Sequence, residues 1–160
     1  MMQGLLSLFG GSPHPDLADG VRELREFIAE VGGTRIEPPE VRPEGVYVPM
    51  VASDGERYLL RIVAERYLAE PPQCAFVDPT YEPTETHWPH PSPDGPFRSP
   101  EFICTPPTFE FYRAHSERTY QAGEGTLVAT VAVVFAALHA REYDGRYRAA
   151  LSKDWAVWGP

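Results

Sequence analysis

The first strong pattern in the chain is a stripe of apolar residues that follows Pro15-Asp16, a pair suited to the start of a helix. Spacings of three and four positions place such side chains on one face of an α-helix. The stripe consists of Leu17, Val21, Leu24, Phe27, Ile28 and Val31. The sequence therefore predicts an amphipathic first helix that ends at Gly32-Gly33.

Two β-rich runs follow, from Val46 to Val51 and from Arg57 to Val63. The residues between them include Ser53-Asp54-Gly55-Glu56, and an Asp-Gly pair between two such runs is a hairpin signal. A third run, from Gln73 to Asp78, comes directly after Pro71-Pro72. The three runs predict strands of an antiparallel sheet.

The second half of the chain predicts a long loop and then helices. Prolines gather between residues 71 and 107, where they forbid helix and restrict strands, and the aromatic residues there favour an ordered, packed loop. Residues 126 to 141 are apolar on nearly every side, as in a helix buried against a sheet. A last helix is predicted by the spacing of Tyr147, Leu151, Trp155 and Trp158. Strands and helices separated in this way indicate an α+β fold.

Composition narrows the class of protein. The 160 residues carry a net charge of −9 with no cluster of Lys or Arg, which excludes a surface that follows nucleic-acid phosphates. The longest apolar run, from Leu127 to Leu138, is shorter than the ~20 residues that a bilayer requires. Two distant cysteines and no signal segment indicate a reducing cytoplasm. The sequence predicts a flexible segment over residues 1–15 and one soluble, cytoplasmic domain over residues 16–160.

Several motifs occur in the order found in one enzyme superfamily. They are Tyr67-x-x-x-Pro71-Pro72-x-x-x-Phe76, His90-Pro91, Ile103-Cys104 and an apolar helix beginning near Thr126-Leu127. Together with the first helix and the strands, they resemble the ubiquitin-conjugating enzyme superfamily, in its divergent bacterial form, over roughly residues 16 to 140. The resemblance implies an antiparallel four-stranded meander with an N-terminal helix, a long active-site loop and C-terminal helices.

The resemblance also implies a chemistry. Cys104 would accept the C-terminus of a ubiquitin-like protein as a thioester, and His90 would hold the active-site loop. In the family, a His-Pro-Asn motif supplies an asparagine that steadies the loop and helps with the oxyanion. This chain has Ser92 at that position, which is a shorter hydrogen-bond donor.

The thioester hypothesis also needs a group that takes up the thiol proton and proteins that deliver and receive the modifier. His115 lies eleven residues after Cys104, as a candidate base or as a group that tunes the thiol. Transfer between thioesters needs an accessible thiolate and no cofactor. The implied partners are a ubiquitin-like modifier and an activating enzyme, together with a ligase or a deconjugating peptidase.

Three other interpretations stay open. The first is that Cys104 is an inert, packed cysteine, because free cysteines are usually packed. We predict such packing for Cys74 within its strand. The departures at Ser92 and at Thr105-Pro106-Pro107 favour a non-catalytic interaction module on the same fold. A zinc site has suitable ligand types in His87, His90, Cys104 and His115. No Cys-x-x-Cys or His-Glu-x-x-His spacing supports the zinc site.

Overall fold

A computed structural model describes residues 16–33, 35–82, 85–92, 95–98 and 101–147. Within these residues the elements are, in chain order, α1 (Leu17–Phe27), β1 (Glu40–Arg42), β2 (Gly45–Val51), β3 (Arg57–Val63), β4 (Gln73–Val77), β5 (Phe97–Arg98), β6 (Phe102–Ile103), α2 (Phe109–Ala114) and α3 (Leu127–Leu138). The architecture is α+β, as the sequence predicted. The N-terminal segment 1–15 lies outside the described residues.

Helix α1 buries the face that its spacing predicted. Leu17, Val21 and Leu24 are buried there, and Ile28 is buried at the start of a π-helical turn, Ile28–Gly32, that continues the helix. The prediction is wrong for Val31, whose side chain is 56% exposed. A π-helical turn holds more residues than an α-helical one, so the three-and-four spacing no longer returns a side chain to the buried face.

The central sheet is antiparallel, with the strand order β1-β2-β3-β4. Val48 pairs with Leu60, which in turn pairs with Phe76, and all three side chains are buried on one face. The predicted hairpin is confirmed, with Gly55 in the turn at a φ of +89°. Strand β1 was not seen in the apolar pattern because its three residues, Glu40-Val41-Arg42, contain a single apolar side chain.

Helix α3 is the apolar helix that the sequence placed at residues 126 to 141. It ends at Leu138, and it packs against α1 and β2. The last predicted helix does not include Tyr147, whose backbone N–H donates to the Trp88 carbonyl at 2.8 Å in a non-helical segment. Leu151, Trp155 and Trp158 lie outside the described residues. Among the helices that the structure describes, none is long and apolar enough to cross a membrane.

In its described residues, the proline-rich loop is packed against the core, as predicted. It contains a 3₁₀ turn, Glu85–His87, and the two-residue strands β5 and β6, which the sequence did not predict. Trp88 and Phe97 are buried, with their ring centroids 5.2 and 5.8 Å from that of Phe76. The loop therefore contributes side chains to the same core as the sheet.

The corner after β3 joins three parts of the fold. The Tyr67 side chain is buried, and its hydroxyl accepts a hydrogen bond from the backbone N–H of Leu127, the first residue of α3, at 3.0 Å. Gly20 of α1 lies against the same ring, so close that an added Cβ would be 2.5 Å from the hydroxyl oxygen. The Pro72 carbonyl accepts from the backbone N–H of Phe109 at 2.8 Å, which fixes the start of α2.

Candidate functional site

Cys104 follows the short strand β6 at the surface of the proline-rich loop. Its side chain is partly exposed, whereas the preceding Ile103 is fully buried. The Cys104 backbone N–H donates to the Pro96 carbonyl at 2.6 Å, next to the pairing of Phe97 with Ile103. Because side chains alternate along a strand, this register directs Ile103 into the core and Cys104 away from it.

His115 is brought to Cys104 by helix α2. The helix ends at Ala114, and the Cys104 Sγ lies 3.4 Å from the His115 Nε2. This distance is within the range for a hydrogen bond that involves sulfur. An imidazole at this distance is placed to take a proton from a thiol, and the thiolate is the reactive form of a cysteine.

The His115 ring has further contacts that set its orientation. Its Nδ1 lies 3.5 Å from a Glu117 carboxylate oxygen, and the ring packs on Phe111 with centroids 4.5 Å apart. An Nδ1–H directed at a carboxylate leaves the Nε2 lone pair facing the sulfur. Because Glu117 is largely exposed, its charge is screened by solvent, and its main contribution is orientation.

A single buried hydroxyl connects the loop that carries Cys104 (the cysteine loop) to helix α2, which ends just before His115 (the histidine helix). Thr108 is fully buried, and its Oγ1 lies within donating distance of the Ile103 and Thr105 carbonyls, at 2.7 and 2.8 Å. The same oxygen caps α2 by accepting from the backbone N–H of Phe111 at 3.3 Å. Thr108 therefore helps to fix the distance between the thiol and the imidazole.

An open cavity of about 500 Å³ adjoins the pair. Cys104 and His115 lie in its wall together with Pro91, Ser92, Arg98 and Phe102. The cavity is within the size range of small-molecule sites, and it is large enough to admit the end of a peptide chain. The Nε of Arg98 is buried and has no hydrogen-bond partner among the described residues.

The structure brings three of the four predicted site residues to one cavity. These are Cys104, Ser92 and His115. The fourth, His90, joins its loop to a later segment: its backbone N–H donates to the Gly145 carbonyl at 2.7 Å. The His90 Nδ1 donates to the Pro91 carbonyl at 3.0 Å and lies 3.8 Å from an Asp144 carboxylate oxygen.

Three residues at the site were missed by the sequence. Thr108 carried a usable signal, since a threonine followed two positions later by Glu110 is typical of a helix start. Arg98 and Glu117 carried none, because their relation to Cys104 depends on the β5–β6 pairing and on where α2 ends. The pairing involves strands of only two residues.

Cys74 behaves as the packed cysteine that its sequence predicted. Its side chain is buried, and desolvation raises the pKa of the Cys74 thiol well above the ordinary value. Its backbone N–H donates to one Glu110 carboxylate oxygen at 3.3 Å, while the other oxygen is buried and has no partner in the described part of the chain. Burial raises the pKa of Glu110. Cys104 is therefore the thiol that solvent and reagents can reach.

The zinc interpretation gains no support from the geometry. In the ranges that the structure describes, no three or more His, Cys, Asp or Glu side chains form a group that could hold a metal ion. His115 uses its Nε2 toward Cys104 and its Nδ1 toward Glu117. A zinc site requires about four such ligands around one point.

No protein-family model matches the chain, and no curated protein matches its sequence. The order of the elements and the geometry around Cys104 therefore carry the assignment of a function.

Proposed function

We propose that this protein is a carrier of the ubiquitin-conjugating type, which accepts a ubiquitin-like protein as a thioester on Cys104 and passes it to an acceptor. The incoming acyl group arrives as the thioester of an activating enzyme. Cys104 attacks its carbonyl carbon, and the thiolate of the activating enzyme leaves. A nucleophile of the acceptor then attacks the new thioester, assisted by a ligase where one exists. A deconjugating peptidase would reverse the final linkage.

The observation that carries the proposal is the 3.4 Å separation of the Cys104 Sγ and the His115 Nε2 beside an open cavity. An accessible thiol with an imidazole in contact is equipped for acyl transfer, because the imidazole can take the thiol proton and later the proton of an attacking amine. A cysteine retained for packing needs neither access nor a base. Cys74 is an example of that second kind.

The order of elements supports the same family. Within the described residues, a helix, a four-stranded antiparallel sheet, a long loop with the cysteine and an apolar helix follow one another along the chain. The Tyr67 corner has a defined role in this order, since it joins α1 to the start of α3. His90 anchors the cysteine loop through Gly145, which agrees with the loop-holding role that the resemblance implies.

The test is the intact mass, under non-reducing conditions, of the protein isolated from its own host, with Cys104→Ser and Cys74→Ser variants in parallel. We expect an adduct of small-protein size that thiol removes from the native chain. On Cys104→Ser the adduct should persist as a thiol-resistant ester, and Cys74→Ser should keep the labile adduct. If no adduct forms while the activating enzyme is expressed, the protein is a non-catalytic interaction module.

A second candidate, a cysteine hydrolase, is favoured by the alignment of Glu117, His115 and Cys104. Nucleophile, base and orienting carboxylate in a row also occur in enzymes that pass an acyl group to water. The two functions differ in the fate of the thioester on Cys104. Incubating the isolated thioester with and without lysine separates them: a carrier loses its acyl group mainly to the amine, and a hydrolase loses it at the same rate without amine.

A further inference from the structure

Arg98 is a cation in the wall of the cavity that also contains Cys104. Arg98 pairs with Phe102 across the β5–β6 hairpin, and Cys104 is two residues beyond Phe102. Residues paired across two strands point to the same face of a hairpin, and so do side chains two positions apart along one strand. Arg98, Phe102 and Cys104 therefore all point away from the core. The three side chains line the same cavity.

Acyl transfer at Cys104 requires a donor for the carbonyl oxygen, because that oxygen gains negative charge when sulfur attacks the carbon. The backbone N–H of Cys104 is already donated to the Pro96 carbonyl at 2.6 Å. The backbone N–H of Ser92 is likewise donated to the Phe97 carbonyl at 3.1 Å. The donors that remain on the cavity wall are the Ser92 hydroxyl, the His115 ring and the Arg98 guanidinium.

His115 is engaged as the base, since its Nε2 faces the sulfur. Ser92 offers one neutral O–H, whereas a guanidinium offers several N–H groups and a full positive charge. The oxyanion is charged whichever donor it meets, but only the guanidinium brings a full opposite charge, which adds a coulombic attraction to its hydrogen bonds.

We infer that Arg98 binds the carbonyl oxygen of the acyl group during its transfer to and from Cys104. This inference rests on the proposed thioester chemistry and assigns the oxyanion to Arg98 instead of Ser92. The Cys104 proton passes to His115, the sulfur forms a bond to the carbonyl carbon, and the carbonyl π pair moves onto the oxygen that Arg98 holds. When the pair returns, the bond to the donor sulfur breaks, and the donor thiolate takes the proton from His115.

The test compares two reactions of Cys104 that differ in whether an oxyanion forms. Acylation by the benzyl thioester of N-acetylglycine passes through a tetrahedral oxyanion, whereas alkylation by iodoacetamide displaces iodide without one. Both are followed by intact mass in a Cys74→Ser background, so that a single thiol reacts. Dividing the acylation rate by the alkylation rate removes any effect of Arg98 on the thiolate itself.

For Arg98→Met we expect this ratio to fall by about 100-fold, the usual loss when one oxyanion donor is removed. Arg98→Lys keeps the charge without the fork of donors and should give a ratio between that of Arg98→Met and the parent. Ser92→Ala should leave the ratio within about threefold of the parent. Thermal melts establish that each variant is folded, and Arg98→Lys carries the test if Arg98→Met is not.

Three results would overturn the inference. If acylation and alkylation fall together in the Arg98 variants, Arg98 acts on the thiol and not on the carbonyl oxygen. If the ratio falls in Ser92→Ala and not in Arg98→Lys or Arg98→Met, the serine holds the oxyanion. A parent protein that is alkylated but never acylated, by this thioester or by its activating enzyme, would instead reject the thioester function and the role of Arg98 with it.

Discussion

Replacing Thr108 by valine removes the buried hydroxyl that joins the cysteine loop to the histidine helix, while the shape of the side chain is kept. The expected loss of folding stability has two parts. Helix α2 loses its cap at the Phe111 N–H, which costs about 0.5–2 kcal/mol. One of the two carbonyls that face the hydroxyl, of Ile103 or Thr105, loses its partner, which costs about 1–3 kcal/mol when buried. We expect the free energy of unfolding to fall by about 2–4 kcal/mol.

Urea unfolding measures this change, and two variants serve as controls. Thr108→Ser keeps the hydroxyl and should recover most of the loss. Thr126→Val removes the cap of α3, where the hydroxyl accepts a single bond, from the Ala129 N–H at 3.0 Å, and should cost about 1 kcal/mol. The reasoning is refuted if Thr108→Val unfolds within about 0.5 kcal/mol of the parent, the scatter of an ordinary surface substitution.

Three further predictions concern the site and its supports. His115→Ala should slow alkylation of Cys104 by iodoacetamide at pH 7 by about one to two orders of magnitude, because the thiol loses its base. Glu110→Gln should stabilise the protein increasingly as pH rises from about 4 to 8 in urea unfolding, because burial raises the pKa of Glu110 and the ionised carboxyl is disfavoured in the folded state. Gly20→Ala should destabilise the protein by about 2 kcal/mol in the same assay, because about 3 kcal/mol of overpacking on the Tyr67 ring exceeds about 1 kcal/mol of gained helix propensity.

Each of these predictions has a control or a result that would contradict it. Alkylation is measured in the Cys74→Ser background, and an unchanged rate in His115→Ala would contradict the pairing of Cys104 with its imidazole. In the native protein, the pKa of Glu110 is higher in the folded state than in the unfolded state. The contribution of Glu110 to stability is therefore complete at low pH and is lost as the pH rises through the folded-state pKa. If the stability gained by Glu110→Gln over the parent grew toward low pH, the prediction would be refuted. Asp19→Ala, at an exposed position next to Gly20, changes helix propensity without reaching Tyr67.

The elements that were predicted well from the sequence are long enough for the spacing of their apolar residues to mark one face several times. Helix α1 and strands β2 and β3 have at least seven residues each, so the apolar period is repeated several times. Helix α3 was found from its apolar run, although its end was placed three residues too far. The two-residue strands β5 and β6 are too short to show a period, and they form because Phe97 and Ile103 are both drawn into the core.

At the site, residue types were predicted and distances were not. Cys104 and His115 could be named as a pair of suitable chemistry, but their contact depends on a helix of six residues whose start is capped by Thr108. That helix holds Phe109, Phe111 and Tyr112, but six residues are too few for a helical period to show in the sequence. Arg98 was invisible because a single arginine in a loop has meaning only once its neighbours in space are known.

The anchoring of the cysteine loop has a consequence for how partners meet it. Ile103 is fully buried and Phe97 nearly so, and next to this pair the Cys104 backbone N–H donates to the Pro96 carbonyl. Hydrogen exchange at such an amide requires the surrounding core to open, so its protection should approach that of the central strands. Under the proposed function, a partner that delivers an acyl group would meet a cysteine whose backbone is already fixed, and the adjustment on docking would belong to the partner.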